Sequence, residues 1–307
     1  MRVLITGAQG FLGRLIVGRL VATGSISGQS ITAMTLIDMV EPTPPDAPFP
    51  VTCHAGDLMA ASLEPHDAVI HLAAVVSAEA EADLDKGLAV NLDATRRLLM
   101  AARDWGTVPI FLFASSVAVF AAQSNERLTD RTEPTPRSSY GAQKLIGEIL
   151  VRDLSRKGII RGRSLRFPTI AIRPGKPNKA ASSFASSIIR EPLNGEEAIL
   201  PVSPDLRLHL MSPDGAVAAM AHALDLPQDA LDGATTITLP GISVAVSDML
   251  AALTPDQRAL VKEVPDAAIA KVVESWPGGI DTPRAEALGF TADADFAELL
   301  TLSKAHL

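Results

Sequence analysis

The stretch Arg2-Val3-Leu4-Ile5-Thr6-Gly7-Ala8-Gln9-Gly10-Phe11-Leu12-Gly13 decides how the rest of the chain is read. Arg2 to Thr6 is a short apolar run that reads as a buried strand. Three glycines follow at GxxGxxG spacing. Phe11 to Thr23 then places Leu12, Leu15, Ile16 and Leu20 on one helical face, with Gly24 as a stop. The spacing is not the more familiar GxGxxG, but the physical logic is the same. Glycines permit a tight turn, let backbone approach a pyrophosphate and let the helix pack close to the strand. The helix N-terminus adds free N–H groups and a partial positive charge. Gly7, Gln9, Gly10, Phe11, Leu12 and Gly13 are therefore candidate dinucleotide-binding residues, against the plain alternative of an ordinary strand-to-helix turn.

Outward from this loop the pattern repeats. Ile31 to Asp38, Val51 to His54, Asp67 to Leu72, Pro109 to Ala114 and Arg163 to Ile172 read as further strands. Val90 to Trp105 and Tyr140 to Lys157 read as helices ending at Gly106 and Gly158. Such alternation predicts an α/β fold, a Rossmann-type doubly wound parallel sheet with helices on both faces, whose ligands bind at the carboxyl ends of the strands. At about 150 residues per domain, 307 residues suggest two lobes. The expected division is a dinucleotide-binding domain over 1–172 and a smaller, mostly helical substrate lobe over 173–307. A strand near 235–240 returns to the first sheet, so the two lobes interleave.

Asp38 ends the second strand, where a carboxylate can accept from ribose hydroxyls and would repel a 2′-phosphate; that favours NAD over NADP. Gly56-Asp57-Leu58 follows the third strand. Asp57 can accept from an adenine amino group while Leu58 packs on the ring, though a plain turn reads the same way.

Tyr140-Gly141-Ala142-Gln143-Lys144 opens a helix, and the i, i+4 spacing puts Tyr140 and Lys144 on one face. A free tyrosine titrates near about 10, too high for a base near neutrality. A neighbouring ammonium favours the phenolate and is expected to lower that value, which suits acid–base work in an alcohol–carbonyl interconversion. Lys144 can also hold a nicotinamide ribose. Ser115 and Ser116 end the fifth strand at the carboxyl edge, and Ser116 can hydrogen-bond a substrate oxygen beside the tyrosine. Asn91 is a candidate for ordering Lys144 through a water or the backbone.

Other chemistries are poorly supplied. Lys and Arg total 27 against 35 Asp and Glu, a net charge of −8 with no basic block, so nucleic acid is not expected as a partner. The single cysteine, Cys53, rules out a disulfide framework and a Cys-rich zinc site. The six histidines show no metal-ligand spacing, so no metal is expected, and His71 in an apolar strand reads as a satisfied core residue. No GxSxG elbow appears, and Trp105 and Trp276 suggest no stacking platform for bases. No leader pattern and no apolar run of about 18 residues is visible, which points to a cytoplasmic protein without membrane attachment.

Thr6 to Gly13, His71-Leu72-Ala73-Ala74, Asn91 with Ala94-Thr95, Ser115 to Phe120, and Tyr140 to Lys144 together resemble the extended short-chain dehydrogenase/reductase superfamily, of NAD-dependent epimerase/dehydratase type. The resemblance implies an NAD-dependent oxidoreductase acting on CH–OH. It implies Ser116, Tyr140 and Lys144 as a catalytic triad assisted by Asn91, and Ala73, Ala74 and Pro168 as cofactor-lining residues. Ser116 is preferred to Ser115 because Val119-Phe120 stands where the family has Val-Tyr, three residues past its serine; Phe120 is the departure. Extended members commonly pair through two long helices, and the wide apolar stripe Leu145, Ile146, Ile149 and Leu150 fits a homodimer.

The segment from Leu165 to Ile170, with Arg173-Pro174-Gly175-Lys176-Pro177-Asn178 and Ala180 to Ser186, resembles the D-erythronate dehydrogenases, which oxidise C2 of a four-carbon sugar acid with NAD. The residues agree in kind. Arg173, Lys176 and Lys179 can meet a carboxylate, Arg173 through a bidentate fork. Asn178, Ser182 and Ser77 can meet hydroxyls. Alternatively, Ser182 and Ser183 cap the helix toward Arg190 and the cations are solvated. Arg207 and His209 either face the pocket or cap the sheet. Two other functions stay open, a nucleotide-sugar epimerase or dehydratase with tightly held NAD, and a non-catalytic NAD sensor. The presence of Ser116, Tyr140 and Lys144 together favours an enzyme.

Overall fold

Seven short runs rich in β-branched and aromatic residues pair side by side, all in parallel, in a computed structural model that describes residues 1–123, 125–175 and 180–307. In chain order the strands used below are β1 (Arg2–Thr6), β2 (Ala33–Asp38), β3 (Val51–Ala55), β4 (Ala68–His71), β5 (Ile110–Ser116), β6 (Arg161–Phe167), β7 (Thr169–Ile170), β8 (Arg207–Met211), β9 (Thr236–Thr238) and β10 (Ile242–Ala245). The helices used are α1 (Phe11–Thr23), α2 (Ser77–Ala82), α3 (Ala94–Asp104), α4 (Ser139–Arg156), α5 (Phe184–Leu193) and α6 (Pro213–Asp225). The large sheet runs β3-β2-β1-β4-β5-β6-β9. Strand order reverses between β1 and β4, and at such a switch point the two crossovers diverge and leave a crevice.

Both faces of the sheet are buried. Val3, Ile5, Ile70 and Leu112 point toward α1 and α6, with Ile16, Leu20, Ala216 and Met220 across from them. Leu4, Val69, Phe111 and Phe113 point toward α3 and α4, with Leu98, Leu99, Val151 and Leu154. This is why the strands read as near-continuous apolar runs rather than alternating ones. A third cluster around Phe184, Ile188, Leu208, Val246 and Trp276 forms the core of the C-terminal part. α6 packs on the first sheet although it lies late in the chain.

Three expectations are corrected. The strand expected over Arg163 to Ile172 stops at Phe167, because Pro168 has no N–H for the ladder; β7 pairs instead with β8 in a small sheet of order β7-β8-β10. The helix expected from Val90 begins earlier, at Leu84–Gly87, and passes through a π-helical turn at Leu88–Asp93 before α3. The tail after Thr254, expected to be mostly helical, alternates short helices with strands Val261–Glu263 and Gly279–Asp281.

Candidate active site

The carboxyl ends of β1, β4 and β5 meet the start of α4 and the chain after β6 around a cleft of about 370 Å³. At one end lies the glycine loop. Gly7 has φ +71°, and a Cβ there would stand 2.7 Å from the Ala73 nitrogen. A Cβ on Gly13 would stand 2.1 Å from the Gly7 carbonyl oxygen, so the loop closes only without side chains at these points. The N-terminus of α1 has no side-chain cap and no acid in its first turn. Its orphan N–H groups therefore stand at the cleft without a built-in anion, as a pyrophosphate site requires.

Asp38 ends β2 against this loop. Its Oδ2 accepts from the Gln9 N–H at 2.9 Å and its Oδ1 from Val40 at 3.3 Å. An ionised carboxylate has about four acceptor positions, so capacity for a ribose remains. These features fit a dinucleotide with a free 2′-hydroxyl.

The cleft brings together Gly7, Gly10, Phe11, Leu12, Gly13, Ala74, Ser77, Ser116, Tyr140, Lys144, Pro168, Arg173 and Ser182. Gln9, Asp38, Asp57, Leu58, Ala73 and Asn91 do not line it. Ala73 packs on Gly7 and donates to Thr6 Oγ1 at 3.4 Å. Asp57 Oδ1 accepts from the Met59 N–H at 2.8 Å, and Leu58 is buried with Leu4, Ile37 and Val69. Asn178, Lys176 and Lys179 lie outside the described residues.

Ser138 caps α4 by accepting from the Gly141 N–H at 3.1 Å, which fixes where Tyr140 and Lys144 emerge. Ser116 ends β5, accepts from the Ala118 N–H at 3.1 Å and lines the cleft with the Tyr140 phenol, whose pKa it draws down. Ser115 faces the other way. Its Oγ donates to Glu148 at 2.5 Å, and Glu148 holds the Arg166 guanidinium through two bonds of 2.9 and 2.7 Å. Both serines border the cleft, but the Ser115 hydroxyl is taken up by Glu148.

The expectation that Lys144 draws down the tyrosine is corrected. Burial pushes the Tyr140 phenol up to about 12, and the opposing pull comes from the Ser116 hydroxyl and the Arg173 charge. Burial also pushes Lys144 down to about 8, opposed by the Glu148 charge. The ammonium lies 5.6 Å from the Tyr140 ring centroid and 4.9 Å from that of Phe113.

Asn91 does not touch Lys144. Its carboxamide accepts from the Val75 N–H at 2.9 Å and donates to Gln143 Oε1 at 2.8 Å. It ties the loop after β4 to the residue before Lys144, and the π-helical turn gives it that reach. His71 is the satisfied core residue expected. Thr95 Oγ1 donates to the Asn91 carbonyl at 2.8 Å, so His71 Nε2–H donates to Thr95 at 2.8 Å and Nδ1 accepts from Thr6 at 2.6 Å. Burial pushes this neutral ring down to about 3.

On the far side, α5 clamps the main chain of Arg173. The Ser186 Oγ accepts from its N–H at 3.1 Å, and Arg190 donates to its carbonyl at 2.6 Å. No carboxylate pairs with the Arg173 guanidinium among the described residues. Burial lowers its pKa, the Tyr140 phenolate charge raises it and Arg190 lowers it. Ser77 Oγ accepts from the Ala181 N–H at 3.1 Å, joining α2 to the second lobe beside the cleft. Ser183 stands at the α5 N-cap, and its side chain makes no cap bond to that helix. Arg207 binds Ser243 through bonds of 3.1 and 2.8 Å and, like buried His209, stays away from the cleft, capping the small sheet. Sequence reasoning missed Trp276, which lines the cleft from the C-terminal part; it belongs to no motif.

Among the described residues no cluster could hold a metal ion and no helix is long and apolar enough to cross a membrane. A family model described as the NAD dependent epimerase/dehydratase family matches residues 3–235. The chain is 44% identical over 310 residues to a D-erythronate dehydrogenase of Haemophilus influenzae, with 98% of each chain covered. It is 45% identical over 317 residues to one of Cupriavidus necator, covering 98% of this chain and 97% of that one. Among solved structures it is similar to a nucleoside-diphosphate-sugar epimerase from Agrobacterium tumefaciens, with TM-score 0.91 and 40% identity, covering 98% of this chain and 92% of that one. Sheet order, glycine cradle, the Ser116–Tyr140–Lys144 grouping and a family match over most of the length agree, and the chain belongs to the NAD-dependent epimerase/dehydratase family.

Proposed function

We propose that the protein is an NAD-dependent dehydrogenase that oxidises the C2 hydroxyl of a small sugar acid, D-erythronate to 2-oxo-D-erythronate. The observation that carries the reading is Arg173, a partly buried guanidinium without a carboxylate partner among the described residues, in the same cleft as Tyr140 and Ser116. Such a group favours an acid as ligand. The two full-length relatives named D-erythronate dehydrogenase support the choice of acid.

Bound NAD⁺ supplies the hydride acceptor for the hydrogen leaving C2. The substrate hydroxyl lies between Ser116 and Tyr140. Tyr140 in its phenolate form takes the hydroxyl proton as the C2 carbonyl forms. Ser116 donates to the same oxygen and fixes its position. Arg173 supplies the positive charge that favours the phenolate against the cost of burial. Lys144 holds the nicotinamide ribose, Arg173 grips the carboxylate, and Ser77 and Ser182 meet hydroxyls. The N–H groups opening α1 hold the pyrophosphate and Asp38 the adenosine ribose.

We read 1–172 with the returning β9 as the cofactor domain and 173–307 as mainly the substrate lobe. We also read the protein as a cytoplasmic homodimer paired through the α4 face, where Ile146 and Ile149 are 40% and 45% exposed. Sedimentation near twice 32.2 kDa checks the pairing.

The test mixes protein and NAD⁺ with D-erythronate, L-threonate, D-threonate, L-erythronate, glycerate and the pentonates and follows NADH absorbance. Turnover highest with D-erythronate is expected. Silence on every acid, with conversion of a nucleotide sugar and no net NADH, would replace this reading with the epimerase one.

A further inference from the structure

Trp276 shares the cleft with Ser77, Ser116, Tyr140, Arg173 and Ser182. It is 9% exposed, and its Nε1–H is shut off from water with no acceptor among the described residues. Buried indole N–H groups ordinarily find a partner, and leaving one without is costly. The residue is held firmly. Its own N–H bonds the Val273 carbonyl at 3.2 Å, and the preceding Ser275 carbonyl accepts from Ala122 at 2.8 Å. The Gly278 N–H bonds the Glu126 carbonyl at 2.9 Å. These bonds stitch the Trp276 turn to the segment that follows Ser116. The ring belongs to the same apolar cluster as Ala118, and Tyr140 packs against that cluster.

We infer that Trp276 is a specificity-determining residue, whose ring forms the wall that limits the length of the bound acid and whose N–H takes a substrate oxygen. The inference rests on the sugar-acid reading above. Hydroxyl and carboxylate oxygens accept, and an indole N–H only donates, so a short polyol acid matches this wall where an apolar tail would leave the donor unmatched. The N–H faces protein in the present rotamer. Taking a substrate oxygen therefore requires a small turn of the ring, and emission reads that turn directly.

The chain has two tryptophans. The other, Trp105, is remote and donates to the Leu63 carbonyl at 2.8 Å. In a Trp105→Phe, Tyr140→Phe protein with NAD⁺ present, Trp276 is the only indole and turnover is suppressed. D-erythronate is expected to change its emission saturably. In otherwise unaltered protein, Trp276→Phe keeps most of the wall and removes the donor. KM for D-erythronate is expected to rise roughly tenfold with kcat nearly constant, the pattern of one lost binding hydrogen bond. Trp276→Leu is expected to raise the pentonate-to-erythronate ratio of kcat/KM roughly tenfold by opening the wall. Flat emission, with KM and the length ratio unmoved in a protein that does oxidise D-erythronate, overturns the inference alone. If the unaltered protein oxidises none of the acids, the substrate reading falls and this inference falls with it.

Discussion

Tyr140 answers to two opposed demands. Burial beside an apolar cluster drives its phenol up to about 12, yet proton abstraction needs the ionised form. The cation of Arg173 and the hydroxyl of Ser116 are the groups placed to reconcile them. Oxidation is therefore expected to speed up with rising pH and the reverse reduction to slow down, because only the phenolate accepts the proton. Tyr140→Phe should cost about 10²–10⁴-fold in kcat, and near-normal turnover would contradict its role as base. Arg173→Leu should raise KM for the acid about 10–100-fold, the worth of a charge-assisted hydrogen bond, with NAD⁺ affinity little changed. A fall in kcat with unaltered KM would argue against a carboxylate grip. Ser116, Tyr140 and Lys144 were legible because a strand end and a helical i, i+4 pair are local patterns. Trp276 was not, since its place in the cleft depends on a long-range docking that no local spacing encodes. The source of charge on Tyr140 was misread for a related reason, as burial is a property of the packed molecule.

At the scale of elements, one buried ion pair joins α4 to β6. Glu148 lies two turns beyond Tyr140 on α4, anchors Ser115 of β5 and holds Arg166 of β6, with side chains 3% and 9% exposed. Arg166 also stacks on Phe120 at 4.8 Å. Removing one member leaves a buried charge uncompensated. Glu148→Ala should destabilise the fold by about 3–5 kcal/mol, read as a fall in the urea midpoint at constant slope, and a loss below about 1 kcal/mol would contradict the assigned network. All seven strands of the main sheet were readable from apolar runs bounded by turn residues. The break at Pro168 was written in the sequence but overruled by the run of apolar residues around it. The π-helical turn at Leu88–Asp93 was not readable, because only Asn91's partners, Val75 and Gln143, reveal what it is for.

For the molecule as a whole, two buried histidines tie folding to pH. His71 is pushed down to about 3 and His209 to about 4, in each case first by burial. Both stay neutral in the folded protein, while the unfolded chain protonates them below about 6.5. The unfolded state then binds more protons, so stability is full above that value and is lost as pH falls toward 4 and then 3. Each ring contributes a slope of about 1.4 kcal/mol per pH unit within its window. Denaturant midpoints that fall steadily below pH 6.5 are expected, and a flat profile down to pH 4 would contradict neutral burial of both rings.

Removal of hydride from C2 of a sugar acid in the Ser116–Tyr140–Lys144 cleft can be followed with an isotope, by mixing the protein and NAD⁺ with D-erythronate deuterated at C2 and analysing both products by mass. One deuterium in NADH and none in the 2-oxo acid is expected. Unlabelled NADH with deuterium retained in the product would contradict it, as would the absence of any NADH.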